Sequence, residues 1–241
     1  MRRLALRSIA LAVFLAAGAL AHGDFGGTSA AAGSTYTLYS SFGPGHDGWD
    51  WTYNSGWAVR GEAFTEPGLY GVEQAFSFVS PKSGVVTDIW VGLFANPNLP
   101  QPDEITIRLA RGTAWNLPTP ADVMEQWTLN AFPSWDAWSP PQHLVGGGTS
   151  YLEAGNSYWL WASAGETTEC GWGLNGGASY RADLLLPHTL RREGQSWLPV
   201  ANETVSAFRV DAVPEPSALT LAAVGTVGLL ACAWRRRNRV A

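Results

Sequence analysis

The sequence predicts an all-β protein: an antiparallel β-sandwich, jelly-roll-like in its connections, followed by a single C-terminal transmembrane helix. Three observations carry that expectation. Only 15% of the 241 residues are charged while Gly (27) and Trp (13) are abundant, a composition suited to short strands and tight turns rather than to solvated helices. Short β-prone stretches recur between Gly-, Pro- and Asn-rich breakers. A nearly uncharged apolar run of about bilayer length stands close to the C-terminus.

Residues 1–21 read as a secretory signal peptide. Met1–Arg7 is basic and Ile9–Leu20 is apolar, and Ala19 and Ala21 supply the small residues that signal peptidase accepts before His22. At about 12 residues the apolar stretch is too short for a membrane span, which needs roughly 20, so cleavage is the expectation. Signal peptidase and the export machinery are the partners it implies. Residues 22–33, rich in Gly, Ala and Ser, form a flexible lead-in.

The body, residues 34–212, is expected to be one sandwich domain. Its strands are predicted at Tyr36–Phe42, Gly56–Ala63, Gln74–Val79, Val85–Phe94, Ile105–Arg111, Glu125–Asn130, Ser157–Ala164, Cys170–Leu174 and Ala207–Val210. In Ile105-Thr106-Ile107-Arg108-Leu109 the apolar residues alternate with polar ones, which predicts one buried face and one wet face. Tyr158-Trp159-Leu160-Trp161-Ala162 is apolar at every position, which predicts a central strand covered on both sides. Breakers at Asn96–Pro102, Gly146–Gly148 and Asn175–Gly177 fall between apolar runs. Thr119–Gln126 is the one stretch expected to supply a turn or two of helix.

Residues 213–241 have a different construction. Val213-Pro214-Glu215-Pro216-Ser217 must be extended, because each proline fixes its own φ and Pro216 drives Glu215 out of helical geometry. Ala218–Trp234, about 17 residues, is just long enough to span a bilayer at ~1.5 Å per residue. Arg235, Arg236, Arg237 and Arg239 act as the membrane stop, since basic clusters remain on the cytoplasmic side. The body therefore faces outward, tethered by an exposed strip that a protease can bind. A helix-breaking linker before an ordinary anchor would have the same local features.

In that order and position, Pro214-Glu215-Pro216, the apolar helix and the terminal Arg cluster resemble the PEP-CTERM sorting signal of Gram-negative bacteria. The resemblance implies processing by exosortase, a membrane-embedded cysteine transpeptidase, with a cut near the Pro-Glu-Pro triplet, and an association with extracellular polysaccharide. A looser resemblance covers the body. Leu38–Gly45, Gly56–Val59, Leu152–Leu160 and Ala207–Val210 are similar to segments of the choice-of-anchor domains found upstream of sorting signals. It implies a β-sandwich without an assigned activity.

Charge and cysteine usage narrow the function. Between His22 and Val213 eight basic residues face 19 acidic ones, a formal charge of −11, so nucleic acid is excluded as a partner. Cys170 is alone in the body and Cys232 lies in the apolar tail, which leaves no internal disulfide for the domain.

The candidate binding residues are aromatic. If His46–Tyr53 is extended, Trp49, Trp51 and Tyr53 share a face that would stack on sugar rings, with Asp47 and Asp50 accepting hydroxyl hydrogen bonds. The same rings would alternatively cap one end of the sandwich. Asp47 and Asp50 would also suit Ca²⁺, although their spacing is not a calcium loop and no metal is assigned. No catalytic residue is identified: His22, His46, His143 and His188 are scattered, and there is no nucleophile elbow or phosphate loop. The expectation is a non-enzymatic surface or matrix protein without a cofactor, with a carbohydrate-binding module as the alternative and a glycan hydrolase third.

Overall fold

A computed structural model describes residues 34–43, 49–63, 71–95, 104–112, 118–131, 133, 139–175, 189–193, 196–200, 205–215, 225–230 and 234–235, all within one compact unit, Gly33–Ala241. Its strands are β1 (Tyr36–Ser40), β2 (Trp51–Arg60), β3 (Val72–Val79), β4 (Gly84–Val91), β5 (Leu93–Ala95), β6 (Ile105–Arg111) and β7 (Val123–Leu129), then β8 (Gln142–Val145), β9 (Tyr151–Leu152), β10 (Ser157–Ala164), β11 (Glu169–Asn175), β12 (Thr189–Glu193), β13 (Ser196–Val200) and β14 (Phe208–Val213). They pair antiparallel in two sheets. The first runs β1-β14-β4-β8 with β9 also on β4, and the second runs β5-β11-β2-β3-β10-β6-β7 with the β12–β13 hairpin on β3.

One core fills the space between the sheets. Leu38, Tyr39, Val86, Ile89, Val91, Phe208 and Val210 of the first sheet are buried in the same cluster as Phe76, Phe78, Ile105, Ile107, Leu109, Leu160 and Trp172 of the second. This is the two-layer packing of a sandwich. The all-β antiparallel expectation holds. The second sheet is the wider, with nine strands among the described residues, extended by a β12–β13 hairpin that the sequence pattern did not announce.

Strand β10 is central and doubly covered. It lies between β3 and β6, sending Tyr158, Leu160 and Ala162 into the main core. Trp159 and Trp161 go to an outer cluster with Ala75 and Ala110, against which Trp197 of β13 packs. That outer cover corrects the wet face expected for β6. Thr106 is buried and Arg108 half-buried, with the Arg108 guanidinium 4.7 Å from the centre of the Trp161 ring.

Two other expectations are revised. The single strand Val85–Phe94 is broken at Gly92, where the chain passes from β4 in the first sheet to β5 in the second. The Gly92 N–H donates to Ala207 O at 2.9 Å, and a Cβ there would lie 2.8 Å from the Trp51 ring. The helix expected over Thr119–Gln126 shrinks to a 3-10 turn at Pro120–Asp122, because β7 is taken up by pairing with β6.

Beyond β14, residues 225–230 and 234–235 are helical and exposed. Among the described residues no helix is long and apolar enough to cross a membrane.

Candidate functional site

The strip at the C-terminal end of the body begins where the core ends. Strand β14 lies between β1 and β4, in register Tyr36↔Ala212 on one side and Val213↔Val85 on the other. Its alternation places Phe208, Val210 and Ala212 in the core. Val213 is the last paired residue. Pro214 has no N–H to continue the ladder, and Pro214 and Glu215 are exposed. Only Val213 separates a fully buried Ala212 from an exposed Pro214, so the strip is presented by a rigid strand rather than a loose loop. Arg235 is helical and exposed. Pro216, Arg236, Arg237 and Arg239 lie outside the described residues, as do Ala19 and Ala21 at the signal peptidase site.

The aromatic face predicted near Trp49 is reorganised. Trp51 is only 2% exposed and belongs to a core cluster with Phe94 and Ala207. Its indole N–H donates to Ser139 O at 3.2 Å. Gly92 and Gly173 make room for the ring, since a Cβ at either would strike it. Trp51 is therefore removed from the glycan-binding set. Tyr53 is in β2, with its side chain outside the described residues, and Asp47 is outside altogether. Asp50 is half-buried and its backbone carbonyl accepts from Gly43 N–H at 2.9 Å. Among the described residues no three His, Cys, Asp or Glu come together as a metal would require.

Trp49 remains half-buried and joins a row that sequence spacing did not reveal. The register of the first sheet aligns Arg209 of β14, Trp90 of β4 and His143 of β8. Trp90 and His143 stack with centroids 4.0 Å apart and planes 10° from parallel. Trp49 leans on Trp90 at 4.7 Å, and the Arg209 guanidinium lies 4.8 Å from the Trp49 ring. Carboxylates complete the row: Asp88 contacts His143 Nε2 at 2.6 Å, and Arg209 Nε donates to Asp211 at 2.8 Å. The rings cover one another's faces, so a ligand there meets ring edges, His143 and Asp88. The alternation within β4, with Ile89 and Val91 inward and Trp90 outward, was the only sequence signal for this row.

Cys170 is buried, and desolvation followed by the neighbouring Glu169 pushes its thiol well above the ordinary value. It is therefore protonated and unreactive in the folded domain.

No curated protein matches the chain in sequence. Residues 212–237, starting at the last core residue of β14, match the PEP-CTERM protein-sorting motif. The chain thus carries a PEP-CTERM sorting signal, and that signal implies an exported protein sorted by exosortase to the cell surface or the extracellular space.

Proposed function

We propose that this chain is a non-enzymatic structural or adhesive protein of an exopolysaccharide or biofilm matrix. Its tail holds it in the inner membrane as a transient intermediate until exosortase cuts near Pro214-Glu215-Pro216. One observation carries the reading: the sandwich closes with Ala212, while Val227, Leu229 and Leu230 in the tail are exposed. Apolar side chains that take no part in the core call for another apolar medium. The run Ala218–Trp234 is about 26 Å long as a helix, against a hydrocarbon core of about 30 Å. The resemblance of the body to choice-of-anchor domains fits a module displayed for its surface rather than for turnover.

Intact-mass analysis of the exported protein from its native host tests this. The expected mass begins at His22 and ends close to Pro216; a mature form that retains Arg239 would overturn it. The presence of exosortase and polysaccharide-export genes in the source genome would sharpen the destination.

A second reading, carbohydrate binding, rests on the ring edges, His143 and Asp88 along the outer face of the first sheet rather than on an open aromatic platform. Glycan-array binding lost on Trp49→Ala and on Trp90→Ala would support it. Binding lost on neither would remove it.

A further inference from the structure

We infer that the end of the sandwich from which β14 leaves is a lipid-contacting surface, seated on the headgroups of the membrane that holds the uncut tail. The inference rests on the anchored reading above and adds to it an orientation and a contact surface. From Val213 to Ala218, the first apolar residue of the tail, the chain takes five steps, which reach at most about 18 Å when fully extended. The sandwich is longer than that: the eight residues of β10 alone extend roughly 26 Å. Pro214 fixes its own φ directly after β14, and a tether this short keeps the end at which β14 stops nearest the bilayer.

The end so presented is ordered and chemically suited to headgroups. It consists of two turns, Ser80–Ser83 between β3 and β4 and Glu153–Asn156 between β9 and β10, together with Tyr36 at the start of β1. Gly155 N–H donates to Ser80 O at 2.7 Å, Ser80 N–H to Asn156 O at 3.0 Å, and Ala154 N–H to Ser83 Oγ at 2.9 Å. The Tyr36 hydroxyl donates to Ser83 O at 2.5 Å, and Lys82 Nζ lies 5.3 Å from the Tyr36 ring centre. Pro81, Lys82, Ser83, Glu153 and Ala154 are exposed, while Tyr36 and Tyr151 are half-exposed. Tyrosines and a lysine at one level match the interface between hydrocarbon and phosphate. Lys82 against Glu153 and Glu215 leaves this end at −1 among the described residues, whereas residues 22–213 together carry −11 and are repelled by an anionic leaflet.

The test uses the full chain with its tail, reconstituted in vesicles of phosphatidylethanolamine and phosphatidylglycerol bearing a headgroup quencher. Single fluorophores are placed by Lys82→Cys or Glu153→Cys at the exit end and by Glu166→Cys at the opposite end, beyond β10. The background carries Cys232→Ser, and Cys170 is buried. Quenching several-fold stronger at 82 and 153 than at 166 is the expected result. Equal quenching at both ends in a protein that floats with the vesicles overturns the orientation while leaving the anchor intact. Failure to float with vesicles overturns the anchored reading and the inference with it. Quenching at 82 that appears only after exosortase is added assigns the surface to a protein partner and overturns the lipid one.

Discussion

Leu160, Ile107 and Trp172 are sealed between two sheets, whereas Leu229, Leu230 and Trp234 stand in the open, Leu229 at 74% exposure. The residue types are similar and the surroundings opposite. In the sandwich each apolar side chain has a partner from the facing sheet, so its burial stabilises the domain. In the tail Leu229 and Leu230 are exposed at 74% and 59%, so their apolar surface adds nothing to the core. Stability and sorting are thereby assigned to separate stretches of chain that meet at Ala212 and Val213, and each can be altered without touching the other.

The sharpest way to break that division is to cut on either side of it. Trp172→Ala empties a site where the ring packs edge-on against Phe76 at 4.9 Å and its N–H donates to Ala207 O at 3.1 Å. The expected loss is about 3–5 kcal/mol in chemical denaturation. Gly173→Ala comes next, at about 1–3 kcal/mol, because the added methyl runs into the Trp51 ring and the Thr52 carbonyl, forcing a repacked core. Gly155→Ala costs about 1–2 kcal/mol, since φ is 82° there and a Cβ disfavours that conformation. On the other side, Leu229→Ala or truncation after Pro216 should leave unfolding of the body unchanged within about 0.5 kcal/mol. A larger fall would mean that the tail contributes to the domain after all.

Alkaline pH supplies a finer probe. Cys170 has a thiol raised by burial above its ordinary 9.0, and Tyr39 a phenol raised by burial above 10.0. Both are neutral when protonated, and the folded state holds the proton more tightly than the unfolded one. Their contribution is complete below pH 9 and is lost as pH rises above the unfolded values. Denaturation at pH 7 and pH 10 should show a fall that Cys170→Ala reduces, and the thiol should resist alkylation at pH 7 until the domain unfolds. A fall unaffected by Cys170→Ala would assign the alkaline effect to other groups.

How much of this could be read in advance depended on where the information lies. Ile105–Arg111 and Ser157–Ala164 are found at the residues expected for them, because alternation in the one and unbroken apolarity in the other are local signals. The edge strand β8 gave none: in Gln142–Val145 only Leu144 is buried and Val145 is 66% exposed. Trp51 was misread because the space that receives it is cleared by Gly92 and Gly173, 41 and 122 positions away, and no window along the chain joins them. The row of Trp49, Arg209, Trp90 and His143 exists only across strands, so it needed the register. The sorting strip was legible throughout, since an extended Pro-Glu-Pro segment, an apolar run and an Arg cluster are each defined by neighbours in sequence.

The central place of β14 in its sheet also sets an order of events in folding. Two of its neighbours, β1 and β4, are made long before it, yet they cannot be joined until the final six residues of the body arrive between them. A chain made from its N-terminus therefore keeps this sheet open until its last strand is available. Closure of the sandwich thus waits on the six residues that lead straight into the sorting motif, which makes the last strand a timer for completion of the fold.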